Sequence, residues 1–336
     1  MQQFPISDVS EIAPARRGVG AFAAESGFSS EDAGRAALVA TEIGTNLIKH
    51  AGGGEIIVKQ LSDGARHDDR HRGIELLGLD QGPGMADVGK CLRDGYSSSG
   101  SPGTGLGAIE RLSQRFEIYS RAGQGTAVLA HLWPESRQPA GQRLEIGALV
   151  TPKPGESQCG DAWCYAERVE GALVLGIDGL GHGHAASQVA MEACRVFEVD
   201  KHRPPLRIIQ SLHKALRPTR GAAVTLVEVD WDAGRANSVA VGNVQAALVT
   251  GHEVKRIAAD NGIVGHVMSR PRELVHECQP DTVLVLHSDG LTANWHLERY
   301  PGLIQHHAAL IAGVLYRDCK RGRDDALIVV IRRTAP

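Results

Sequence analysis

The sequence predicts a mixed α/β chain of two domains, and three observations carry that expectation. Its 336 residues are enough for two hydrophobic cores of ordinary size. Up to residue 133 a helical pattern is followed by strands set around a glycine-rich run. From residue 144 strand pairs are interrupted by a helix pair, which suggests a sheet sandwich flanked by helices. Residues 134–143 are polar and carry Pro134 and Pro139, so they are the expected linker between domains 1–133 and 144–336.

In the first half, a helix is expected to start near Ser29-Ser30-Glu31-Asp32, with Ser30 as its cap and two acids at the positive end of its dipole. Its apolar stripe runs through Ala36, Ala40, Ile43 and Leu47, and Gly52-Gly53-Gly54 stops it. Strands are expected at 55–61 and 73–79, separated by a polar loop at 62–72 in which His67 and His71 read as loop residues. Residues 94–107 are rich in Gly and Ser, a helix resumes at Ala108, and 116–120 and 126–133 read as a hairpin. In the second half, strands are expected at 172–177, 222–230, 238–249, 274–278, 282–286 and 326–331. Helices are expected at 185–197, 206–216 and 303–316.

The net charge of -3, without a block of Lys or Arg, argues against nucleic acid or an anionic membrane as the main partner. Six irregularly spaced cysteines with no C-x-x-C read as free thiols of a reducing compartment. Met1-Gln2-Gln3-Phe4 has neither a basic nor an apolar signal region, and no apolar run approaches bilayer length. The expected location is the cytoplasm.

Two groups of residues suit phosphate chemistry. In the first, Glu42, Asn46 and His50 recur at i, i+4, i+8 and share a helix face that could hold hydrated Mg²⁺. An exposed polar stripe is the alternative. Asp80 follows a strand, and a carboxylate there can accept a proton from an exocyclic amine, while Gly82 and Gly84 let the backbone approach a flat ring. Gly103-Thr104-Gly105-Leu106-Gly107 opens a helix whose N–H groups can cradle phosphates. The three elements in this order point to ATP with Mg²⁺.

Here the sequence resembles the GHKL (Bergerat) ATPase fold, an α/β sandwich, over residues 8–133. The segment 42–54, ending Ala51-Gly52-Gly53-Gly54, is similar to the N box of the stressosome switch serine kinases. The resemblance implies that Asn46 ligates Mg²⁺, that Glu42 is the general base toward a substrate serine, and that Asp80, Gly82 and Gly84 form the adenine pocket. It also implies a lid at 94–101.

In the second group, Asp161, Asp178, Asp289 and Asp324 or Asp325 stand at apparent strand ends, several in Asp-Gly pairs. Simple turns are one reading of such pairs. Carboxylates gathered from separate strands would instead suit two Mn²⁺ or Mg²⁺ ions clamping a phosphoryl group. His182 and His184 read as polar turn residues near that site. Residues 144–333 resemble the short bacterial branch of PPM-type serine/threonine phosphatases, an α-β-β-α sandwich. The resemblance implies that Asp161 and Asp178 bridge two metals, that the Gly179 carbonyl is a ligand, and that Asp289 and Asp324 complete one ion. Ala326 departs from the Thr frequent after the paired acids.

The expected function is a bifunctional regulator of bacterial partner switching. A serine/threonine kinase acting on a STAS-domain protein would be joined to a metal-dependent phosphoserine/threonine phosphatase. A sigma factor or downstream phosphatase would be a further partner. The alternative is an N-terminal module that binds nucleotide without transferring phosphate.

Overall fold

The computed structural model describes residues 1–61, 73–91, 105–134, 143–169, 171–268 and 270–334. The expected loop at 62–72, the lid at 94–101, Gly103, Thr104 and linker residues 135–142 lie outside the described residues. The chain divides into two units, Met1–Gln142 and Arg143–Pro336.

The first unit runs β1 (Gln2–Ile6), α1 (Ile12–Glu25), α2 (Ser30–Asn46), β2 (Gly54–Gln60), β3 (Ile74–Leu79), α3 (Val88–Cys91), α4 (Gly105–Leu112), β4 (Arg115–Ser120) and β5 (Thr126–Leu132). Its antiparallel sheet has the order β1-β2-β3-β5-β4. Alternate residues of the strands, Ile56, Val58, Ile74, Leu76, Val128 and Ala130, meet Val19, Val39, Ile43 and Ile109 of the helices in one core. Gly78 on β3 has no side chain because Ile43 occupies the space a Cβ would need.

Three expectations are corrected in this unit, and two elements, β1 and α1, had none. The cap of α2 is Ser29, whose Oγ accepts from Asp32 N at 3.0 Å, and Ser30 is the first helical residue. The α-helix ends at Asn46. Leu47–Ala51 forms a π-turn closed by Gly52 at φ 73°, so α-helical spacing does not extend to His50. β1 and α1 escape period reasoning because Pro5 sits in an edge strand, where its missing N–H is tolerated, and because Pro14, Gly18 and Gly20 dilute the helical signal. Gly18 has a packing reason: the Phe4 ring stands where its Cβ would be. The helix after the glycine run begins at Gly105, ahead of Ala108.

The second unit contains two five-stranded sheets. One has the order β13-β10-β9-β8-β7 and the other β12-β11-β14-β15-β6. In chain order the elements are β6 (Leu144–Thr151), β7 (Asp161–Arg168), β8 (Gly171–Gly179), α5 (Gly183–Asp200), α6 (Pro205–Ala215), β9 (Ala222–Asp230), β10 (Arg235–Val241), β11 (Gln245–Thr250), β12 (Glu253–Arg256), β13 (Leu274–Glu277), β14 (Val283–His287), α7 (Ala308–Cys319) and β15 (Ala326–Arg333). Val174, Val227, Leu284, Leu286 and Val329 fill the core between the sheets. Leu175, Ile177, Val224 and Leu226 face Val189, Phe197, Ile208 and Leu212 of α5 and α6. α7 packs on β6 and β15 of the other sheet. The unit is therefore an α-β-β-α sandwich.

The expected strand 238–249 is two strands in different sheets. Gly242, at φ 99°, turns the chain between them, and the Asn243 side chain is directed to Asp289. The expected helix 303–316 begins as a 3₁₀ turn at Leu303–Gln305, and α7 itself is capped by His307, whose Nδ1 accepts from Ala309 N at 3.1 Å.

Candidate active sites

In the first unit, α2 places Glu42 and Asn46 one turn apart, both half-buried. The first residue of α4 closes against them. A Cβ on Gly105 would lie 3.1 Å from Glu42 Oε2 and 3.3 Å from Asn46 Oδ1. Glycine thus keeps a small space open at this helix start, followed by half-buried Leu106 and buried Gly107. Asn46 Nδ2 is buried and has no hydrogen-bond partner among the described residues. An orphaned buried donor is costly in a folded protein, and a ligand approaching α4 would meet this amide. His50 is exposed in the π-turn and joins neither contact.

Asp80 follows β3 with its carboxylate fixed. Its Oδ1 accepts from Gly82 N at 2.9 Å and Thr126 N at 3.0 Å. A Cβ on Gly82 would stand 2.6 Å from Ala51 Cα, so this glycine lets the Asp80 turn close against the end of the π-turn. Gly84, at φ 65°, leaves no room for a Cβ beside the Arg121 carbonyl. Sequence reasoning missed Gly125 and Thr126. Gly125, at φ 72°, presses against the Asp80 carbonyl, and Thr126 N holds the Asp80 side chain. Gly125 ends the expected hairpin turn and Thr126 opens the expected strand 126–133, so the sequence alone does not set them beside Asp80.

In the second unit, Asp161 opens β7 and pairs in register with Asp178 on antiparallel β8. Like charges directly opposite on a sheet repel. Burial, then Asp178, pushes the Asp161 carboxyl well above the usual range, although Ser288 Oγ donates to its Oδ2 at 2.6 Å. Burial, then Asp289 and Asp324, raises Asp178 as well. Asp289 follows β14, and its Oδ2 accepts from Asn243 Nδ2 at 2.7 Å.

The adjacent acids at the head of β15 divide their work. Asp325 is buried and accepts from Lys153 N at 2.7 Å and Gly160 N at 2.8 Å, so both its oxygens hold backbone. Asp324 lines a cavity of about 550 Å³ together with Asp178, Asp289, Asn243, Lys153 and His182. The cavity-facing acid is the one the resemblance favoured.

The Asp-Gly pairs are not simple turns. Neither Gly179 nor Gly290 has positive φ. A Cβ on buried Gly179 would lie 2.6 Å from Ala186 O, and one on Gly290 would overlap the Asp325 carbonyl. These glycines let neighbouring backbone press the carboxylates together. Among the described residues no three His, Cys, Asp or Glu side chains converge on one point, so an ion here would draw on the Gly179 carbonyl and water as well as acids. Buried like charges and an oxygen-only donor set fit a hard divalent cation. Neither histidine is a simple turn residue: His182 is the N-cap residue of α5 and lines the cavity, its Nδ1 2.7 Å from Glu156 Oε1, and His184 lies in the first turn of α5, its Nδ1 2.8 Å from Gln158 Oε1.

Comparison with known proteins agrees with both halves. A family model described as a histidine kinase-like ATPase domain matches residues 6–132. A second, described as stage II sporulation protein E, matches residues 170–334. A solved chain from "The bacterial stressosome: a modular system that has been adapted to control secondary messenger signaling" is similar at TM-score 0.52 and 26% identity. It covers 56% of this chain and 99% of its own. RsbX in complex with magnesium shares the fold at TM-score 0.50 and 18% identity, over 58% of this chain and 98% of that one. The fold and the family matches thus define an enzyme that joins a kinase-like ATPase domain to a PPM-type serine/threonine phosphatase domain. Its first half is 36% identical over 111 residues to the serine/threonine-protein kinase RsbT of Bacillus subtilis (strain 168), covering 33% of this chain and 80% of that protein. The chain belongs to the RsbT-like kinase family, fused to a SpoIIE-type phosphatase domain. No described helix is long and apolar enough to cross a membrane.

Proposed function

We propose that this one chain both adds phosphate to and removes it from a serine or threonine of a STAS-domain partner-switching protein. One observation carries the reading: each site keeps its reactive groups. Glu42 stands beside Asn46 at the mouth of α4, and Asp178, Asp289 and Asp324 line the second-unit cavity, with Asp161 paired to Asp178 across β7 and β8.

In the kinase step, Asp80 would hold the adenine amine and the first turn of α4 would cradle the phosphates. Asn46 would take the Mg²⁺, and Glu42 would take the proton of the substrate hydroxyl as it attacks. In the hydrolytic step, Asp161, Asp178, Asp289, Asp324 and the Gly179 carbonyl would hold divalent cations, which supply Lewis acidity. Asn243 and Ser288 fix Asp289 and Asp161 for that role by hydrogen bonds. Cytoplasmic placement and the STAS partner belong to this proposal. Joining the two activities fixes their ratio and raises the effective concentration of one near the product of the other.

The test mixes purified chain, Mg²⁺ with γ-labelled ATP and a purified STAS protein, then adds a nucleotide trap and Mn²⁺. Label should enter the partner and then leave as inorganic phosphate. Release of label from a pre-phosphorylated partner, with no transfer from ATP, would leave the first unit a nucleotide-binding module and end the kinase reading.

A further inference from the structure

Cys164 on β7 and Cys194 on α5 face one another with their sulfurs 2.7 Å apart, the Cys164 thiol donating to Cys194 Sγ. Both are half-buried, whereas Cys278 and Cys319 are buried. We propose that this pair is a redox modification site: hydrogen peroxide oxidises Cys194, and Cys164 closes a disulfide that ties α5 to β7 and slows the phosphatase.

The hydrogen bond from Cys164 lowers the Cys194 pKa below the usual thiol value against the opposing effect of burial. Every other cysteine, Cys164 included, is raised. The thiolate is the nucleophile, and in the proposed path Cys194 attacks first and Cys164 resolves. Its sulfur takes one peroxide oxygen, the O–O bond breaks, and the departing hydroxide leaves as water after taking a proton. Cys194 is then a sulfenic acid. The Cys164 sulfur attacks it, the S–O bond breaks, and that oxygen leaves as a second water with the Cys164 proton. Two thiols and one peroxide give one disulfide and two waters. A thiol reductant reverses the change, as in transient redox-sensing pairs of reducing compartments.

The link would be felt at the acid cluster. Cys164 lies on the strand that opens with Asp161, and α5 packs on β7 and β8. The first turn of α5 sets Ala186 against the glycines flanking the paired acids. A Cβ on Gly160 would be 2.6 Å from Ala186 Cβ, and one on Gly179 would be 2.6 Å from Ala186 O. A disulfide needs its sulfurs about 2.05 Å apart, so closure pulls the facing side chains of α5 and β7 together. No slack separates Ala186 from Gly160, and the shift passes to Asp161 and Asp178. Misplacement by about 1 Å can cost a hundredfold in rate, so a loss of about tenfold is expected.

The experiment treats the reduced, Mn²⁺-loaded full chain with hydrogen peroxide. It follows peptide mass after alkylation and phosphate release from p-nitrophenyl phosphate. The expected result is a Cys164–Cys194 cross-linked peptide two hydrogens lighter, with activity lost in parallel and restored by dithiothreitol. Cys164→Ser and Cys194→Ser, with Cys194→Ala as a second form, should keep basal activity and lose both responses. Absence of the cross-link overturns the proposal. So does a cross-link without loss of activity, or inhibition that persists in Cys194→Ser. The activity arm rests on the phosphatase assignment and the cross-link does not, so the two failures are distinguishable.

Discussion

Replacing Asp178 by Asn should make the metal-free second unit more stable while destroying its activity. Asp161 and Asp178 are cross-strand partners in register, and such positions bring side chains within about 5 Å. Two charges about 5 Å apart at an effective dielectric constant near 20 repel by about 3 kcal/mol. Relaxation and partial protonation reduce this, leaving about 1–2 kcal/mol for the variant to recover. In a domain of this size that is a rise of about 2–8 °C in Tm. The pH dependence has a defined sign. Both carboxyls are raised in the fold, so the folded state binds more protons than the unfolded chain. The contribution of this pair to the stability of the metal-free wild type is therefore greatest below the ordinary carboxylate range and is lost as pH rises through the folded values. The advantage of Asp178→Asn should vanish near pH 4 and be full at pH 8. Excess Mn²⁺ should reverse the order, stabilising wild type and leaving the variant nearly unmoved. The assay is thermal unfolding of the Arg143–Pro336 fragment in chelator and in Mn²⁺, across pH. A variant less stable than wild type in chelator at pH 8 would show that the acids are not held against repulsion.

Three further outcomes follow from the geometry. Asp325→Ala should cost about 2–5 kcal/mol in denaturant unfolding, because it strands the N–H groups of Lys153 and Gly160, whereas Asp324→Ala should weaken Mn²⁺ binding at little cost in stability. By calorimetry, Asn46→Ala should remove Mg²⁺-dependent ATP binding, and Asp80→Asn should weaken nucleotide by about tenfold or more, since charge-assisted hydrogen bonds contribute about 1.5–3 kcal/mol; unchanged affinity in both would remove the ATP-site assignment. The Arg143–Pro336 fragment should release phosphate with Mn²⁺ and no nucleotide, because it has its own cores; a folded but inactive fragment would refute independent action.

Much of both sites was legible because their residues sit at element boundaries marked by glycine. Asp80, Gly82 and Gly84 after β3, and Asp178 and Asp289 at strand ends, fall where the pattern of apolar residues places them. Asp161 opens β7, and its register partner Asp178 cannot be read from one strand alone. Spacing failed at His50 because a π-turn follows Asn46, and nothing in Leu47-Ile48-Lys49-His50 announces it. The split of 238–249 was hidden because Val241 and Val244 continue a strand-like pattern across Gly242. The different roles of Asp324 and Asp325 depend on which carboxylate meets the backbone of residues 153 and 160, far away in sequence.

Opposed phosphate chemistries at separate sites of one chain are what we propose. The most direct measurement follows phosphate on a single STAS partner with Glu42→Ala and Asp178→Asn side by side. The account predicts that Glu42→Ala still binds ATP and strips phosphate from the partner but adds none, and that Asp178→Asn adds phosphate that is never removed. Loss of both activities in either variant, or normal transfer by Glu42→Ala, would contradict it.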